Sequence, residues 1–95
     1  MISRDGGRMV VRGHLTIETV PALFDAGVQH FSSEDLVVDF SQVENVDSAA
    51  VSMLLGWLRA AQRSQRTVTV TGLPEDLLSL ARLYGVDNML PQQVA

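Results

Sequence analysis

Two carboxylates and two hydroxyls lie within ten residues of one another, at Asp39, Ser41, Asp47 and Ser48. A carboxylate pair of this kind could hold Mg²⁺ or carry a proton between reacting groups. The same residue types have a structural use, because Asp and Ser accept hydrogen bonds from free backbone N–H groups at turns and helix starts. The sequence favours the structural use. We predict that Asp39, Ser41 and Asp47 stabilise a turn and that none of the four is catalytic.

The elements on either side explain why these side chains are expected to meet. Leu36 to Phe40 is a short apolar run rich in β-branched residues, which is typical of a buried strand. Asp47 and Ser48 precede an apolar segment that runs to about Ser64, which is typical of a helix start. The residues between are polar, so we predict a short turn. The four side chains are then expected at the edge of an α/β layer, where sites usually form.

The rest of the chain alternates between strand and helix patterns. Asp5-Gly6-Gly7 favours a tight turn between two opening strands, and Thr67 to Thr71 alternates strictly, as a half-buried strand does. Two further helices are predicted, from Thr16 to Phe31 and from Pro74 to a stop at Gly85. This order predicts one α/β domain over residues 1–95, with a mostly parallel sheet of about four strands and the helices mainly on one face.

Composition excludes several classes of function. The chain has no Cys and no Lys, so thiolate chemistry, disulfides and a lysine-containing phosphate loop are all excluded. The net charge of -4, with scattered arginines, argues against a nucleic-acid surface. His14 and His30 lie at the ends of separate elements and predict no metal site. No apolar run suits a membrane span or a signal peptide, so we expect a cytoplasmic protein without cofactors.

The predicted second helix carries apolar residues on two sides. The side expected to face the sheet consists of Val51, Leu54, Leu55 and Leu58. The other side carries small residues together with Met53 and Trp57, the single tryptophan of the chain. Either the third helix and the C-terminal residues cover that side, or it is an exposed surface on which Trp57 anchors a partner. The sequence leaves both interpretations open.

The second interpretation predicts a partner-binding surface that is uncovered in the isolated chain. Its residues are Ser48, Ala49, Ser52, Met53, Gly56, Trp57 and Ala60. Since aromatic and Met side chains dominate interface energies, loss of Trp57 is expected to abolish partner binding with little change in stability. An uncovered surface of this kind would also favour a weak homodimer when the partner is absent.

Two motifs of this chain resemble those of the STAS domains, the family named for sulfate transporters and anti-sigma factor antagonists. In that family a strand ends in Asp-x-Ser, and after a short loop Asp-Ser-Ser-Gly or Asp-Thr-Gly-Gly opens a helix. The matching residues here are Asp39-Phe40-Ser41 and Val46-Asp47-Ser48-Ala49-Ala50. The likeness extends from about Met9 to Leu90. It implies the STAS fold and a function of binding other proteins, without catalysis.

The resemblance points to two branches that differ in the position of a hydroxyl. In the anti-sigma factor antagonists a kinase phosphorylates the serine two residues after the Asp. Ala49 holds that position here, so Ser48 would have to take over the switch. In the small STAS proteins of the Mla phospholipid transport system the hydroxyl follows the Asp directly, as Ser48 does. The segment Gly13-His14-Leu15-Thr16 is also similar to the Gly-x-Leu-Thr of that branch.

The Mla-like branch is therefore the leading expectation. It implies a bacterial, non-enzymatic subunit in the cytoplasm that binds the ATPase subunit (MlaF-like) of an ABC-type phospholipid transporter through its second and third helices. Through that complex the protein would lie at the inner membrane and support the lipid asymmetry of the outer membrane. An anti-sigma factor antagonist regulated by phosphorylation of Ser48 is the alternative. A regulatory domain separated from a parent transporter is the third.

Overall fold

The structure, a computed structural model, describes residues 1–31 and 34–92 of the predicted 1–95 domain. Strands and helices alternate there, as the sequence predicts. In chain order they are β1 (Ile2–Asp5), β2 (Arg8–Leu15), α1 (Val20–Val28), β3 (Leu36–Val46), α2 (Ser48–Arg63), β4 (Val68–Thr71), α3 (Glu75–Leu83) and a short 3₁₀-helix (Asp87–Met89).

The four strands form one sheet in the order β1-β2-β3-β4. β1 and β2 are an antiparallel hairpin whose turn contains Gly6 at a φ of +61°, a conformation that glycine adopts without steric cost. β2 pairs with β3 and β3 pairs with β4 in parallel, and α1 and α2 are the connections between them. The predicted α/β fold with a mostly parallel sheet of four strands is confirmed.

One face of the sheet builds the core. Side chains alternate between the two faces along each strand, and those fully buried on the core face include Met9, Val11, Val38, Phe40 and Val70. Val37 and Asp39, on the opposite face, are only half-buried. All three α-helices contribute residues to the same core cluster. The helices therefore cover one face of the sheet, as predicted.

β3 is longer than the sequence predicts. It continues to Val46 instead of ending at Phe40, because its second half pairs with β2. A bulge lies between Asp39 and Gln42, where β3 has one residue more than its partner strand. The predicted short turn after Phe40 is therefore wrong. Its polar residues belong to a half-strand that pairs with β2 alone within the described part of the chain, since β4 ends at Thr71.

α1 and α2 pack closely because a glycine in each helix leaves room for an aromatic ring of the other. A Cβ on Gly27 would lie 2.5 Å from Cε2 of Trp57. A Cβ on Gly56 would lie 2.6 Å from Cε1 of Phe24. The indole Nε1–H of Trp57 also donates to the backbone carbonyl of Phe24 (3.1 Å), and the ring packs edge-on against Phe31. We refer to this contact of Gly27, Gly56, Phe24 and Trp57 as the helix interlock.

The helix ends differ slightly from the predicted ones. α1 covers Val20–Val28, inside the predicted segment from Thr16 to Phe31. α3 ends just before Gly85, whose φ of +71° stops the helix as predicted. None of the helices in the described ranges combines the length and the apolar character that crossing a bilayer requires.

Candidate functional site

The start of α2 is organised around Asp47, the N-cap of the helix. Its Oδ1 accepts a hydrogen bond from the backbone N–H of Ala49 (2.8 Å), and its Oδ2 accepts one from the N–H of Ile17 (2.9 Å). One carboxylate therefore caps α2 and ties it to the loop between β2 and α1. Ser48 is exposed as the first residue of the helix, and its hydroxyl makes no hydrogen bond with any other described residue. That hydroxyl is available to solvent or to a partner.

Asp39 lies within β3, at the bulge, and its side chain is 13 % exposed. Its Oδ1 accepts from the backbone N–H of Ser41 (2.8 Å), and its Oδ2 accepts from Nη2 of Arg8 (2.9 Å). Burial alone would raise the pKa of Asp39, but the hydrogen bonds from Ser41 and the guanidinium of Arg8 outweigh it and lower that pKa below its ordinary value of 3.8. Asp39 and Ser41 thus stabilise the bulge, and the carboxylate stays ionised near neutral pH.

The two halves of the predicted polar cluster do not come together. Asp39 and Asp47 are separated by the second half of β3, and eight residues of extended strand span roughly 25 Å. The expected meeting of all four side chains at one edge is therefore wrong, because it assumed a turn where the strand continues. Among residues 1–31 and 34–92, no three His, Asp or Glu side chains lie close enough to hold a metal ion.

The two histidines contact different polar neighbours. Nδ1 of His14, in β2, lies 2.9 Å from Nδ2 of Asn45, in the neighbouring parallel strand β3. Nδ1 of His30, in the turn after α1, lies 2.9 Å from Nη1 of Arg4 in β1. Both rings therefore make local polar contacts that connect neighbouring elements of the fold.

The predicted partner-binding surface on α2 is divided by the structure. Met53, Gly56, Trp57 and Ala60 are buried, and the exposed fraction of Trp57 is 0 %. Their expected exposure is wrong because α1 covers this side of α2 through the helix interlock, a cover that neither interpretation of the sequence named. The argument for a weak homodimer loses its basis with it. Ala49 is half-buried, and only Ser48 and Ser52 of the predicted surface are exposed.

The outer side of α2 forms one wall of a groove. The groove has a volume of about 310 Å³, and its lining residues are Ser48, Val51, Ser52, Leu55, Tyr84 and Val86. The helix pattern predicts Leu55 on the sheet side, whereas it is only half-buried and lies in this groove. Tyr84 and Val86, which follow α3, form the opposite wall, and Tyr84 is 53 % exposed.

Sequence reasoning missed Tyr84 and Val86 as site residues. The available signal was an aromatic residue directly before the helix stop at Gly85. Chemically, the groove offers apolar walls with two serine hydroxyls, and none of its described lining residues is a carboxylate or a histidine. Such a lining suits the binding of an apolar side chain with a few hydrogen bonds around it.

Comparison with known proteins gives a family and a fold. A family model described as "Mlab, STAS domain" matches residues 2–91. No curated protein matches the sequence significantly. Solved structures with a similar fold include three that this chain covers over most of their length.

The first is an anti-sigma factor antagonist from Mycobacterium paratuberculosis, with a TM-score of 0.76 at 22 % identity, covering 100 % of this chain and 84 % of that chain. The second, from Thermotoga maritima, is described as a candidate anti-sigma factor antagonist; its TM-score is 0.79 at 14 % identity, with coverage of 100 % and 86 %. The third is the anti-sigma factor antagonist SpoIIAA in its unphosphorylated form, with a TM-score of 0.74 at 11 % identity and coverage of 99 % and 87 %.

These structural likenesses are at low sequence identity and show the fold alone. The family match extends over nearly the whole chain. The chain belongs to the STAS domain family, in the group described as Mlab.

Proposed function

We propose that this chain is the STAS subunit of an ABC-type phospholipid transporter and that it binds the ATPase subunit through the groove between α2 and the segment after α3. The observation that carries the proposal is the groove itself, with Leu55 and Tyr84 on opposite walls. In its lining Tyr84 is 53 % exposed, and Leu83, the preceding residue of the chain, is 74 % exposed. Exposed apolar surface of this kind marks sites of protein association. The Mlab description of the family supports a partner of the Mla type.

In this proposal the protein acts by binding and catalyses no reaction. The described lining of the groove holds no carboxylate or histidine that could exchange protons with a substrate. The protein would need no cofactor. It would lie in the cytoplasm, reach the inner membrane only through the transporter complex, and there support the lipid asymmetry of the outer membrane.

Burial of Trp57 moves the expected anchor of the interface to Tyr84. A tyrosine combines a large apolar ring with a hydroxyl, so it can fill a pocket and still form a hydrogen bond at the edge of an interface. Anchors of this type contribute about 2 kcal/mol or more. Ser48 and Ser52 line the same groove, so their hydroxyls would lie at the contact.

Co-purification with the ATPase subunit of an ABC transporter encoded beside this chain tests the proposal. Tyr84→Ala is expected to lower the affinity about 30-fold, the equivalent of a 2 kcal/mol anchor. Because the ring is already half exposed, the melting temperature should fall by no more than about 4 °C. Arg12→Ala, an exposed position on β2 outside the groove, is the surface control. Equal retention of the ATPase by Tyr84→Ala and the parent chain would contradict the proposal.

A second candidate, an anti-sigma factor antagonist, is favoured by the exposure of Ser48. Asp47 already supplies the helix cap, so a phosphate on Ser48 could form while that cap stays in place. It would add up to about two negative charges at the groove. In this case a cognate kinase with ATP would phosphorylate Ser48 and release the partner. Intact-mass measurement on protein from its native cell separates the two: a stoichiometric phosphoform favours the antagonist, and an unmodified chain bound to an ATPase favours the transporter subunit.

A further inference from the structure

An arginine row, formed by Arg59 and Arg63, continues from the groove along the outer side of α2. The two residues lie one helical turn apart. Both are exposed, and α2 itself contains no Asp or Glu. The ion pairs within residues 1–31 and 34–92 are formed by three other arginines, so the arginine row has no carboxylate partner there.

The groove and the arginine row share one side of the helix. At 100° per residue, a narrow stripe is formed by Ser48, Ser52, Leu55, Arg59 and Arg63. The rise of 1.5 Å per residue places Arg59 about 6 Å and Arg63 about 12 Å beyond Leu55 along the axis. A partner helix laid along this stripe would therefore meet the apolar groove first and then two guanidinium groups.

The charge of this stripe is opposite to that of the whole chain. The chain has 11 acidic and 7 basic residues, for a net charge of -4, yet every charged residue of the stripe is an arginine. Complementary charge around an interface steers the partner and excludes wrong ones, so an acidic partner segment fits this surface. An anionic membrane fits it less well, because lipid-binding segments cluster about 4–8 basic residues and the groove is concave.

We propose that the ATPase subunit occupies this stripe with an amphipathic helix that carries acidic residues. One apolar side chain of that helix fills the groove between Leu55 and Tyr84, and carboxylates one and two turns along pair with Arg59 and Arg63. The inference rests on the proposed function and adds the chemistry of the partner segment. Arginine suits the role because its planar guanidinium binds a carboxylate through two parallel hydrogen bonds.

Charge reversal tests the contribution of the arginine row to binding independently of the groove. Arg59→Glu and Arg63→Glu, each in the full chain, are expected to lower the affinity for the purified ATPase subunit at least about tenfold in 0.1 M salt, mainly through slower association. The loss should shrink in 1 M salt, where the screening length falls to about 3 Å. Arg12→Glu on β2 changes the net charge equally and should bind like the parent chain. Reversing an acidic residue of the partner helix to arginine should restore binding of Arg59→Glu.

Tyr84→Ala distinguishes failure of this inference from failure of the proposed function. If Tyr84→Ala weakens binding while Arg59→Glu and Arg63→Glu bind like the parent chain, the inference is overturned and the proposed function stands. If none of these variants changes binding, both are overturned. Vesicles that contain anionic phospholipid form the last arm. The inference is overturned if the isolated chain binds these vesicles and Arg63→Glu loses that binding while its affinity for the ATPase is unchanged. The arginine row would then be a membrane-binding surface.

Discussion

Gly27→Ala tests the helix interlock most directly. Gly27 has no positive φ, so alanine is allowed there by its backbone, and helix propensity alone would favour the variant by up to about 1 kcal/mol. The new Cβ, however, would lie 2.5 Å from Cε2 and 2.7 Å from Nε1 of Trp57, well inside the optimal carbon contact of about 3.5–4.0 Å. The indole has little freedom to move, because it is fully buried and donates to the carbonyl of Phe24.

We expect Gly27→Ala to lower the free energy of unfolding by about 2 kcal/mol. Overpacking of a well-packed core costs about 1–3 kcal/mol, and displacement of the indole would also lose a hydrogen bond that contributes about 1 kcal/mol. The gain in helix propensity offsets about 1 kcal/mol of this sum. For a chain of this length, the melting temperature would fall by about 8–16 °C.

Urea denaturation followed by fluorescence measures the effect, since Trp57 is the single tryptophan. Gly56→Ala is the matched control. Its Cβ would lie 2.6 Å from the far edge of the Phe24 ring, but that side chain is only half-buried and can rotate away. Gly56→Ala should therefore change the free energy of unfolding by less than about 1 kcal/mol. A Gly27→Ala variant that is as stable as the parent chain, or less affected than Gly56→Ala, would refute the reasoning.

Three further outcomes are expected. Trp57→Ala should lower the free energy of unfolding by about 3–5 kcal/mol, since it leaves a cavity in the core between α1 and α2. Denaturation followed by circular dichroism measures this, and an unfolding free energy close to that of the parent chain would contradict the burial of Trp57. Asp47→Ala should cost about 1–2 kcal/mol through loss of the α2 cap. Asp47→Asn should recover only part of it, because its single carbonyl oxygen can accept from Ala49 while its Nδ2 cannot accept from Ile17; equal melting temperatures for Asp47→Ala and Asp47→Asn would count against capping. The pKa of Asp39 is lowered by folding, so its ionised form stabilises the fold above the ordinary value of 3.8, and that contribution disappears as the pH falls through the lower folded value. As the pH falls below about 4, the free energy of unfolding of Asp39→Asn should therefore decrease less than that of the parent chain. Parallel curves of unfolding free energy against pH for the two proteins would contradict this.

Local sequence patterns were sufficient to predict most elements of the fold. The strict alternation of β4 and the glycines of the β1–β2 turn are signals that depend only on neighbouring residues. The second half of β3 gave no such signal. From Ser41 to Glu44 its residues are polar or half-exposed, because that half-strand has β2 as its one partner in the described ranges. A strand with little burial does not show the apolar pattern of a core strand.

The candidate site was harder to predict because it depends on contacts distant in sequence. Asp47 is the cap that its residue type suggests. In α2, by contrast, apolar residues lie on nearly every side, and which of them face α1, the sheet or solvent depends on how three elements pack. Gly27 and Gly56 were the residues that indicated the packing of α1 on α2, since a small residue in each of two helices allows the helices to approach closely. Only the structure pairs them with Phe24 and Trp57.

The order of strands in the sheet also affects how fast the chain can fold. β1 and β2 are close in sequence, but the parallel pairs join Arg8 with Val37 and Leu36 with Val68, about 30 residues apart in each case. Closing such loops lowers chain entropy before the new contacts can compensate, so folding should be slower than that of a helical bundle of similar length. Trp57 lies where the two crossover helices α1 and α2 meet. Its fluorescence during refolding should therefore report the step at which both crossovers dock against each other, since Trp57 takes no part in the β1–β2 hairpin.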